Sequence, residues 1–364
     1  MNAKLVEDIA KAVLYEGYML YPYRPSSVKN RQRWNFGVVY PKAYSEMQKG
    51  TDSWFMQTQC IATGSSSARV GIKVRFLQAV ARTIGKLDTP VDNWPADLDG
   101  VKEPDFRIVE SLQVDGRILQ TWQEAVECEI VLPSLSVSDG HFAHDSSFHN
   151  FPGGREVEPV RSGVNGQIVG IIVRTKESLA ADLDVIVESP SDGLHKITVR
   201  VSNATPIKNP DFSQQSNANR DLALKQSLLS AHTILSIEGG EFLSLIDPPA
   251  PLKEIVAVCK NIGTWPVLVG EEGQRDGMLS SPIILYDYPQ IAPESPGDLF
   301  DGTEIDEILA LRILTLTEDE KQELRHADDR SRQILERTES MSMEHFMKLH
   351  GVLRGLRQAD EGKQ

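Results

Sequence analysis

The first residues with the means to do chemistry are three histidines close together in the chain. His141, His144 and His149 lie in the segment SDGHFAHDSSFHN, with Asp139 and Asp145 beside them. Imidazole and carboxylate groups at short spacing are ligands for zinc, nickel or iron. Their spacing matches no established metal motif, and the Gly, Ser and Asp content predicts a loop without rigid support for the ligands. A metal-handling protein or metal-dependent enzyme that uses these three histidines is therefore an alternative hypothesis.

Motifs for nucleophilic catalysis and phosphate binding are missing from the sequence. The serines at Ser65–Ser67 are not part of a GxSxG pattern, and no histidine is placed beside them by spacing. The glycines at Gly163 and Gly166 form neither GxGxxG nor a Walker loop, and GK[ST] does not occur. The sequence therefore predicts no cofactor and favours a protein that is not an enzyme.

A stretch rich in aromatic and basic residues is the strongest candidate for binding. Tyr21–Gly37 reads YPYRPSSVKNRQRWNFG, and the chain between Met19 and Ala43 has basic residues but no acidic one. Tyr, Trp and Arg are the residue types that supply most of the energy of protein interfaces. We expect the partner-binding residues to be Tyr21, Tyr23, Arg24, Arg31, Arg33 and Trp34.

Two other interpretations of this stretch remain open. It could be a solvated basic loop whose aromatic side chains pack into the body of the protein. Arginine and aromatic residues also bind single-stranded nucleic acid by stacking, so Arg24–Arg33 could contact DNA or RNA. The net charge of the whole chain is -14, which argues against general binding to nucleic acid or to acidic membranes.

The composition predicts a cytoplasmic protein. The chain has 364 residues and three cysteines, Cys60, Cys128 and Cys259, scattered through apolar or alternating runs. An odd number of scattered cysteines without CxxC pairs is typical of free thiols in a reducing compartment. No apolar run approaches the roughly 20 residues needed to cross a bilayer, and the first residues lack the basic-then-apolar order of a signal peptide.

Hydrophobic periodicity divides the chain into three regions. Residues 1–104 form a mixed α/β N-terminal region, 105–288 form a β-rich body, and 303–356 form a helical C-terminal region. Alternation between apolar and polar residues, with one polar face, is typical of antiparallel sheets that are wet on one side. The predicted fold class is α+β, with a mainly antiparallel, sandwich- or barrel-like β body.

Local signals predict several elements of these regions. Asp115-Gly116 and Gly239-Gly240 indicate hairpin turns, and the serines at Ser65–Ser67 indicate a turn between two strands. Short apolar runs predict strands at Ile255–Cys259 and Ile283–Tyr286. The sequence also predicts a helix within Lys4–Leu20, a second near Asn219–Ser230, and a capping box formed by Thr317 and Glu320.

Two segments of the chain resemble a known bacterial family. These are YPYRPSSVKNRQRWNFG near the start and SPGDLFDGTEIDEILALRILTLTEDEKQE near the end. They are similar to an uncharacterised family encoded in gene clusters for nickel–iron hydrogenases of the aerobic, high-affinity type. The resemblance implies an accessory or assembly role in a cytoplasmic hydrogenase system, with a hydrogenase subunit or maturation factor as the partner. It brings no catalytic residues and no metal ligands.

Overall fold

The computed structural model shows a chain made mainly of β-strands. It describes residues 2–15, 36–48, 50–94, 103–137, 143–164, 166–207, 217–290, 313–327 and 329–340. The strands within these ranges are β1 Phe55–Val91, β2 Phe106–Val109, β3 Ser111–Val114, β4 Arg117–Gln120, β5 Trp122–Val131, β6 Leu135–Ser136, β7 Ala143–Phe151, β8 Gly154–Arg161, β9 Ile168–Lys176, β10 Leu179–Ser191, β11 Leu194–Asn203, β12 Leu229–Phe242, β13 Trp265–Leu268 and β14 Gly277–Ser281. The helices are α1 Ala3–Leu14, α2 Lys42–Met47, α3 Asn217–Lys225, α4 Lys253–Ala257, α5 Glu318–Ala327 and α6 Asp329–Glu339.

Strand β1 is the element around which the sheet is built. Its 37 residues pair with β11 through residues 55–63, with β12 through 62–77, with β5 through 73–82 and with β9 through 80–91. All four pairings are antiparallel. One strand therefore connects segments of the chain that are more than a hundred residues apart in the sequence.

This arrangement corrects two predicted turns. The structure has one continuous strand through Ser65–Ser67, with a shift of register against β12 just after Gly64. Strand β12 likewise runs through Gly239-Gly240, so the predicted hairpin is wrong. A Cβ atom at Gly240 would lie 2.4 Å from the carbonyl oxygen of Thr63. The glycine there allows two backbones to approach closely at an irregularity of the ladder, which a turn signal in the sequence does not distinguish from a hairpin.

The sheet is open at both ends. Its main path runs β13-β14-β12-β1-β11-β10-β7, and β2, β5, β6, β8 and β9 join it at the sides. The described strands therefore form no closed barrel, because neither β13 nor β7 pairs with the other end of the path. The coarser prediction, an α+β protein with a mainly antiparallel β body, is confirmed, and a sandwich-like shape stays a prediction.

The main hydrophobic core is made by alternate residues of the central strands. In β1 the side chains of Val70, Ile72, Val74 and Phe76 belong to this core, while the residues between them are more polar. Strands β10, β11 and β12 add side chains at the same spacing of two. Because successive side chains of a strand point to opposite faces, this spacing places all of them in one core. Strands β9, β10 and β11 lie within residues 105–288, the region that was predicted to be rich in β-structure.

Two predicted local features are also confirmed. Strands β3 and β4 form a hairpin in which Val114 pairs with Arg117. The two turn residues, Asp115 and Gly116, have φ values of 49° and 80°, as a turn with two left-handed positions requires. Helix α1 is present, and the side chain of Asn2 accepts a hydrogen bond of 3.3 Å from the backbone N–H of Leu5 at its start.

Helix α5 of the C-terminal region begins with the predicted capping box. The backbone N–H of Thr317 donates to Glu320 Oε2 at 2.8 Å, and the N–H of Glu320 lies 3.3 Å from Thr317 Oγ1. These bonds satisfy donors that the start of α5 would otherwise leave without a partner. Helices α5 and α6 pack through Leu324 and Leu335, and α5 lies beside β4.

The N-terminal region and the β-rich body proposed from the sequence share one sheet. Residues 55–91 were assigned to the N-terminal region, and they form the central strand to which the body's strands pair. Ile255–Cys259 was predicted as a strand, but residues 253–257 form helix α4, and Ile283–Tyr286 has no strand. Short apolar runs do not separate strand from helix by periodicity alone, which explains the first of these errors.

None of the helices in the described part of the chain has the length and apolar character to cross a membrane.

Candidate functional site

The predicted partner-binding residues lie outside the described residues, but the stretch that contains them ends at a defined place. Tyr21, Tyr23, Arg24, Arg31, Arg33 and Trp34 are the residues concerned. Gly37, at the end of the stretch, accepts a hydrogen bond of 2.9 Å from the N–H of Ala231 in β12. A Cβ atom on Gly37 would lie 2.6 Å from Pro282 Cγ, and its φ is +56°. The stretch therefore joins the body between β12 and the segment that follows β14.

The same place displays large apolar side chains. Ile284 is 75% exposed and Tyr286 is 83% exposed, and both follow Pro282 by a few residues. Trp265 and Phe36 are exposed as well. We call these four residues, Phe36, Trp265, Ile284 and Tyr286, the β13-end surface. Exposed apolar groups that cluster in this way are typical of interaction sites, whereas single ones are ordinary.

The path of the chain places the backbones of these residues in one region. Trp265 at the start of β13 pairs with Ser281 at the end of β14. Seven residues later the backbone N–H of Tyr288 donates to the carbonyl of Leu268, at the other end of β13. The segment 282–288 therefore passes along β13 from its first residue to its last.

Alternation within this segment explains the exposure. Ile283 and Leu285 pack against the cluster formed by α1, β12 and β14. In an extended chain the neighbours of an inward residue point outward, so Ile284 and Tyr286 are displayed because Ile283 and Leu285 are anchored. The sequence predicted a strand here from a short apolar run, and it gave no sign of which face would lie in water.

The outer edge of β13 is closed to strand addition. Pro266 has no backbone N–H to donate. The N–H of Leu268 donates to Asp287 Oδ1 at 2.8 Å, and its carbonyl accepts from Tyr288. An additional strand would find no free ladder of donors and acceptors here. A partner that docks at the β13-end surface would therefore make its contacts with side chains.

The structure does not bring the described histidines of the cluster together. The segment predicted as a loop is strand β7 from Ala143 onward. His144 and His149 are five residues apart on this strand, so they point to opposite faces. His144 Nε2 lies 3.6 Å from Asp184 Oδ1, and His149 Nε2 lies 2.8 Å from Ser147 Oγ. His141 lies outside the described residues.

Within the described ranges no three or more His, Cys, Asp or Glu side chains are grouped so that they could hold a metal ion together. The spacing of His144 and His149 is the physical reason, because an odd separation along a strand divides two side chains between its faces.

A buried polar network joins α1 to the sheet. The buried guanidinium of Arg75 donates to Glu7 Oε1 at 2.7 Å and to Glu127 Oε2 at 2.9 Å. Tyr15 Oη donates to the other oxygen of Glu127 at 2.6 Å. Because Glu7 belongs to α1, Glu127 to β5 and Arg75 to β1, these bonds fix the helix against the sheet. Charge-assisted hydrogen bonds of this kind are the stronger ones in proteins.

His232 is fully enclosed beside this network. It is the cross-strand neighbour of Arg75. Its Nδ1 donates to the carbonyl oxygen of Ser230 at 3.0 Å, and its Nε2 has no hydrogen-bond partner among the described residues. The pKa of His232 is lowered to about 4, mainly by burial and also by the positive charge of Arg75, against the opposing effects of the hydrogen bond to Ser230 and of Glu127. The ring is therefore neutral at neutral pH.

A cavity of about 350 Å³ lies on the sheet face made by β5, β1, β9 and β8, above Val80. Its charged lining includes Arg174, whose Nε donates to Glu124 at 2.9 Å and whose Nη1 donates to Glu158 at 2.7 Å. Burial opposes the charge on Arg174, but the bonds to Glu158 and Glu124 outweigh it and raise its pKa. The guanidinium is thus held by two carboxylates, which makes it a structural group.

The comparisons with known proteins identify no family. No family model matches the chain, and no curated protein matches it. Among solved structures, the secretin InvG of the Salmonella SPI-1 type III secretion injectisome, in its open gate state, is aligned with 10% identity and a TM-score of 0.15. The alignment covers 65% of this chain and 59% of that chain. A similarity at this TM-score establishes neither a common fold nor a common function.

Proposed function

We propose that this chain is a non-enzymatic accessory or assembly protein that binds a partner protein. The binding region is the β13-end surface together with the aromatic and basic stretch Tyr21–Gly37. The observation that carries the proposal is the position of Gly37, which fixes the end of that stretch against Pro282, two residues before the exposed Ile284. The described end of the stretch predicted from the sequence thus adjoins the segment that carries Ile284 and Tyr286, which supports the proposal.

The chemistry of the region indicates the kind of partner. Arg24, Arg31 and Arg33 supply planar donors that match carboxylates, while Ile284 and Tyr286 supply apolar area. A partner with acidic residues around an apolar patch would complement both. Aromatic anchors with a surrounding ring of charged residues are the usual composition of strong interfaces.

The identity of the partner rests on the sequence resemblance alone. Tyr21–Gly37 and residues 295–323 resemble the family encoded with nickel–iron hydrogenases. We therefore propose a hydrogenase subunit or a maturation factor as the partner, in a cytoplasmic hydrogenase system. The closed outer edge of β13 supports binding through side chains.

The test is affinity capture from the native host with quantitative mass spectrometry. The wild-type chain should enrich a hydrogenase subunit or maturation factor. Two variants, Arg31→Ala with Arg33→Ala, and Ile284→Ser with Tyr286→Ser, should each lose the same protein. The matched control is Val164→Ser, which removes an apolar side chain that is 87% exposed at a distant loop.

The energetics set the size of the expected effect. Residues at the centre of an interface cost about 1–2 kcal/mol or more each when truncated, so each double variant should reduce capture at least tenfold. The melting temperature of the Ile284→Ser, Tyr286→Ser variant should remain close to that of the wild type, because both side chains are exposed, and we propose the same for the arginine variant. Capture of the same proteins by wild type and both variants would refute the proposed surface, and enrichment of no hydrogenase component would refute the proposed partner.

A further inference from the structure

Strand β7 is the other end of the main sheet, and its outer edge is open among the described residues. It pairs with β10 on one side only. Between Asp145 and Asn150 no described residue makes a hydrogen bond to the backbone on the outer side. A row of free N–H and C=O groups of this length is a template for pairing with another strand.

The direction of each backbone group in β7 follows from its neighbour β10. Ala180 donates to Thr205 Oγ1 at 3.0 Å and accepts from the N–H of Ala204 at 2.9 Å, so its backbone faces β11. Its partner Asn150 in β7 is therefore in a non-hydrogen-bonded pair. Alternation along an antiparallel ladder then turns the N–H and C=O groups of Ser146, Phe148 and Asn150 to the outer edge.

This edge lacks the features by which proteins usually protect an edge strand. Its sequence, AHDSSFHNF, has no proline and no lysine, and its register with β10 is unbroken. Phe148 is 58% exposed in the middle of it. The edge of β13 differs, since Pro266 and the bonds at Leu268 close it. An edge strand that keeps its backbone N–H groups free and carries an exposed aromatic ring is expected where another strand pairs with the sheet.

We infer that β7 pairs in an antiparallel manner with β7 of a second copy of this chain, about a two-fold axis at Ser147. In this register Ser147 faces its own counterpart, and Asp145 faces His149 of the second copy. The contact between Asp145 and His149 is made twice because of the two-fold symmetry. A carboxylate and an imidazole that face each other directly across a ladder, such as Asp145 and His149, stabilise the pairing of the two strands.

The hydrogen bonds and the aromatic ring fit the same register. Ser146 of one copy and Phe148 of the second copy would form two hydrogen bonds through their outward N–H and C=O groups. The symmetric pair would form the same two bonds. The two Phe148 rings would lie diagonally across the ladder, at a separation within reach of aromatic side chains. Shifting the axis to residue 146 would place Asp145 opposite Ser147, and shifting it to residue 148 would place Asp145 opposite Phe151. Either shift would lose the contact between Asp145 and His149. The strand is therefore complementary to itself in one register.

The decisive test is a disulfide at the symmetry axis. Ser147 would form a non-hydrogen-bonded pair with its counterpart, in which the Cα atoms lie about 4.5 Å apart, within the range of a disulfide. The Ser147→Cys variant should therefore form an interchain disulfide under mild oxidation, detected on non-reducing gels. Ser146→Cys is the matched control, because its counterpart would lie diagonally across the ladder. The wild-type chain, treated in the same way, shows whether Cys60, Cys128 or Cys259 forms an interchain disulfide.

Sedimentation velocity gives a second measurement on the full chain. Wild type should be a dimer at micromolar concentrations, and Phe148→Ser should weaken self-association about tenfold or more. Ser146→Pro should weaken it similarly, since it removes an outward donor while the pairing with β10 keeps its bonds. A monomeric wild type, or a disulfide that forms with Ser146→Cys in preference to Ser147→Cys, would overturn the inference. So would a dimer whose association neither variant changes.

Discussion

Replacing His232 should change how the stability of the protein depends on pH. The ring is fully buried, its pKa is lowered from 6.5 to about 4, and burial is the main cause. In the unfolded chain the same ring takes up a proton near its ordinary pKa. Between these two values the unfolded state binds more protons than the folded state, so acidification favours unfolding. The contribution of His232 to stability is complete above the unfolded pKa and is lost as the pH falls towards 4.

The size of this effect follows from the two pKa values. A difference of one pKa unit is worth about 1.36 kcal/mol, so a depression of this size corresponds to roughly 3 kcal/mol over the whole interval. Most of this loss of stability occurs between pH 6.5 and pH 4.5. The cross-strand position of Arg75 acts in the same direction, since a protonated His232 would place a second positive charge beside it.

The variant His232→Asn isolates the effect. An asparagine amide can still donate to the carbonyl of Ser230, and it does not titrate in this range. Urea unfolding at pH 7 and pH 4.5 should show that wild type loses about 2 kcal/mol more than the variant between the two values. The variant will be less stable at both pH values because it lacks the ring. The quantity to compare is therefore the change in the free energy of unfolding between pH 7 and pH 4.5 in each protein.

The control and the refuting result are defined by the same measurement. His144→Asn changes an exposed histidine and should leave the pH dependence of the wild type in place. Contributions from groups that do not contact His232 are common to all three proteins and cancel in the comparison. Equal losses in wild type and His232→Asn would show that the buried ring is not what couples folding to protons, and the assigned environment of His232 would be refuted.

Two further predictions concern the capping box and the thiols. Thr317→Ala removes the hydroxyl that lies 3.3 Å from the N–H of Glu320 and should cost about 1 kcal/mol in the stability of α5, seen as faster hydrogen exchange in its first turn; unchanged exchange would contradict this. Thiol titration without reductant should find three free thiols after denaturation, and one thiol would reveal a disulfide. In the native chain Cys60 should be silent and the half-buried Cys128 and Cys259 slow, because burial raises the pKa of all three thiols.

The strands and turns that could be predicted are those whose signal is local. Asp115-Gly116 fixes its own turn, because few other residue pairs tolerate two left-handed positions. The capping box of Thr317 and Glu320 is also complete within four residues. Strands β10 and β11 could be predicted because one face of each is buried in a single core, so that burial imposes alternation on the sequence.

The elements that could not be predicted depend on partners far along the chain. Strand β7 is polar and reads as a loop; it is a strand because β10 supplies its hydrogen bonds. The glycine at Gly240 reads as a turn residue, yet it is required by the approach of Thr63 on another strand. Exposure of Ile284 and Tyr286 follows from the anchoring of their neighbours on α1. None of these contacts leaves a pattern in the residues themselves.

The two proposed interfaces lie at opposite ends of the strand order, and this has a consequence for how they would act together. The β13-end surface belongs to one end of the main path and β7 to the other. Pairing of two copies through β7 uses no residue of the β13-end surface, so both partner sites of such a dimer would remain available. A dimer of this kind would hold two partner molecules, or two sites on one symmetric partner, with an apparent affinity raised by the linkage. The Phe148→Ser variant should then still bind a single partner but lose that increase, whereas a partner that binds with the same apparent affinity to monomer and dimer would show that the two ends act independently.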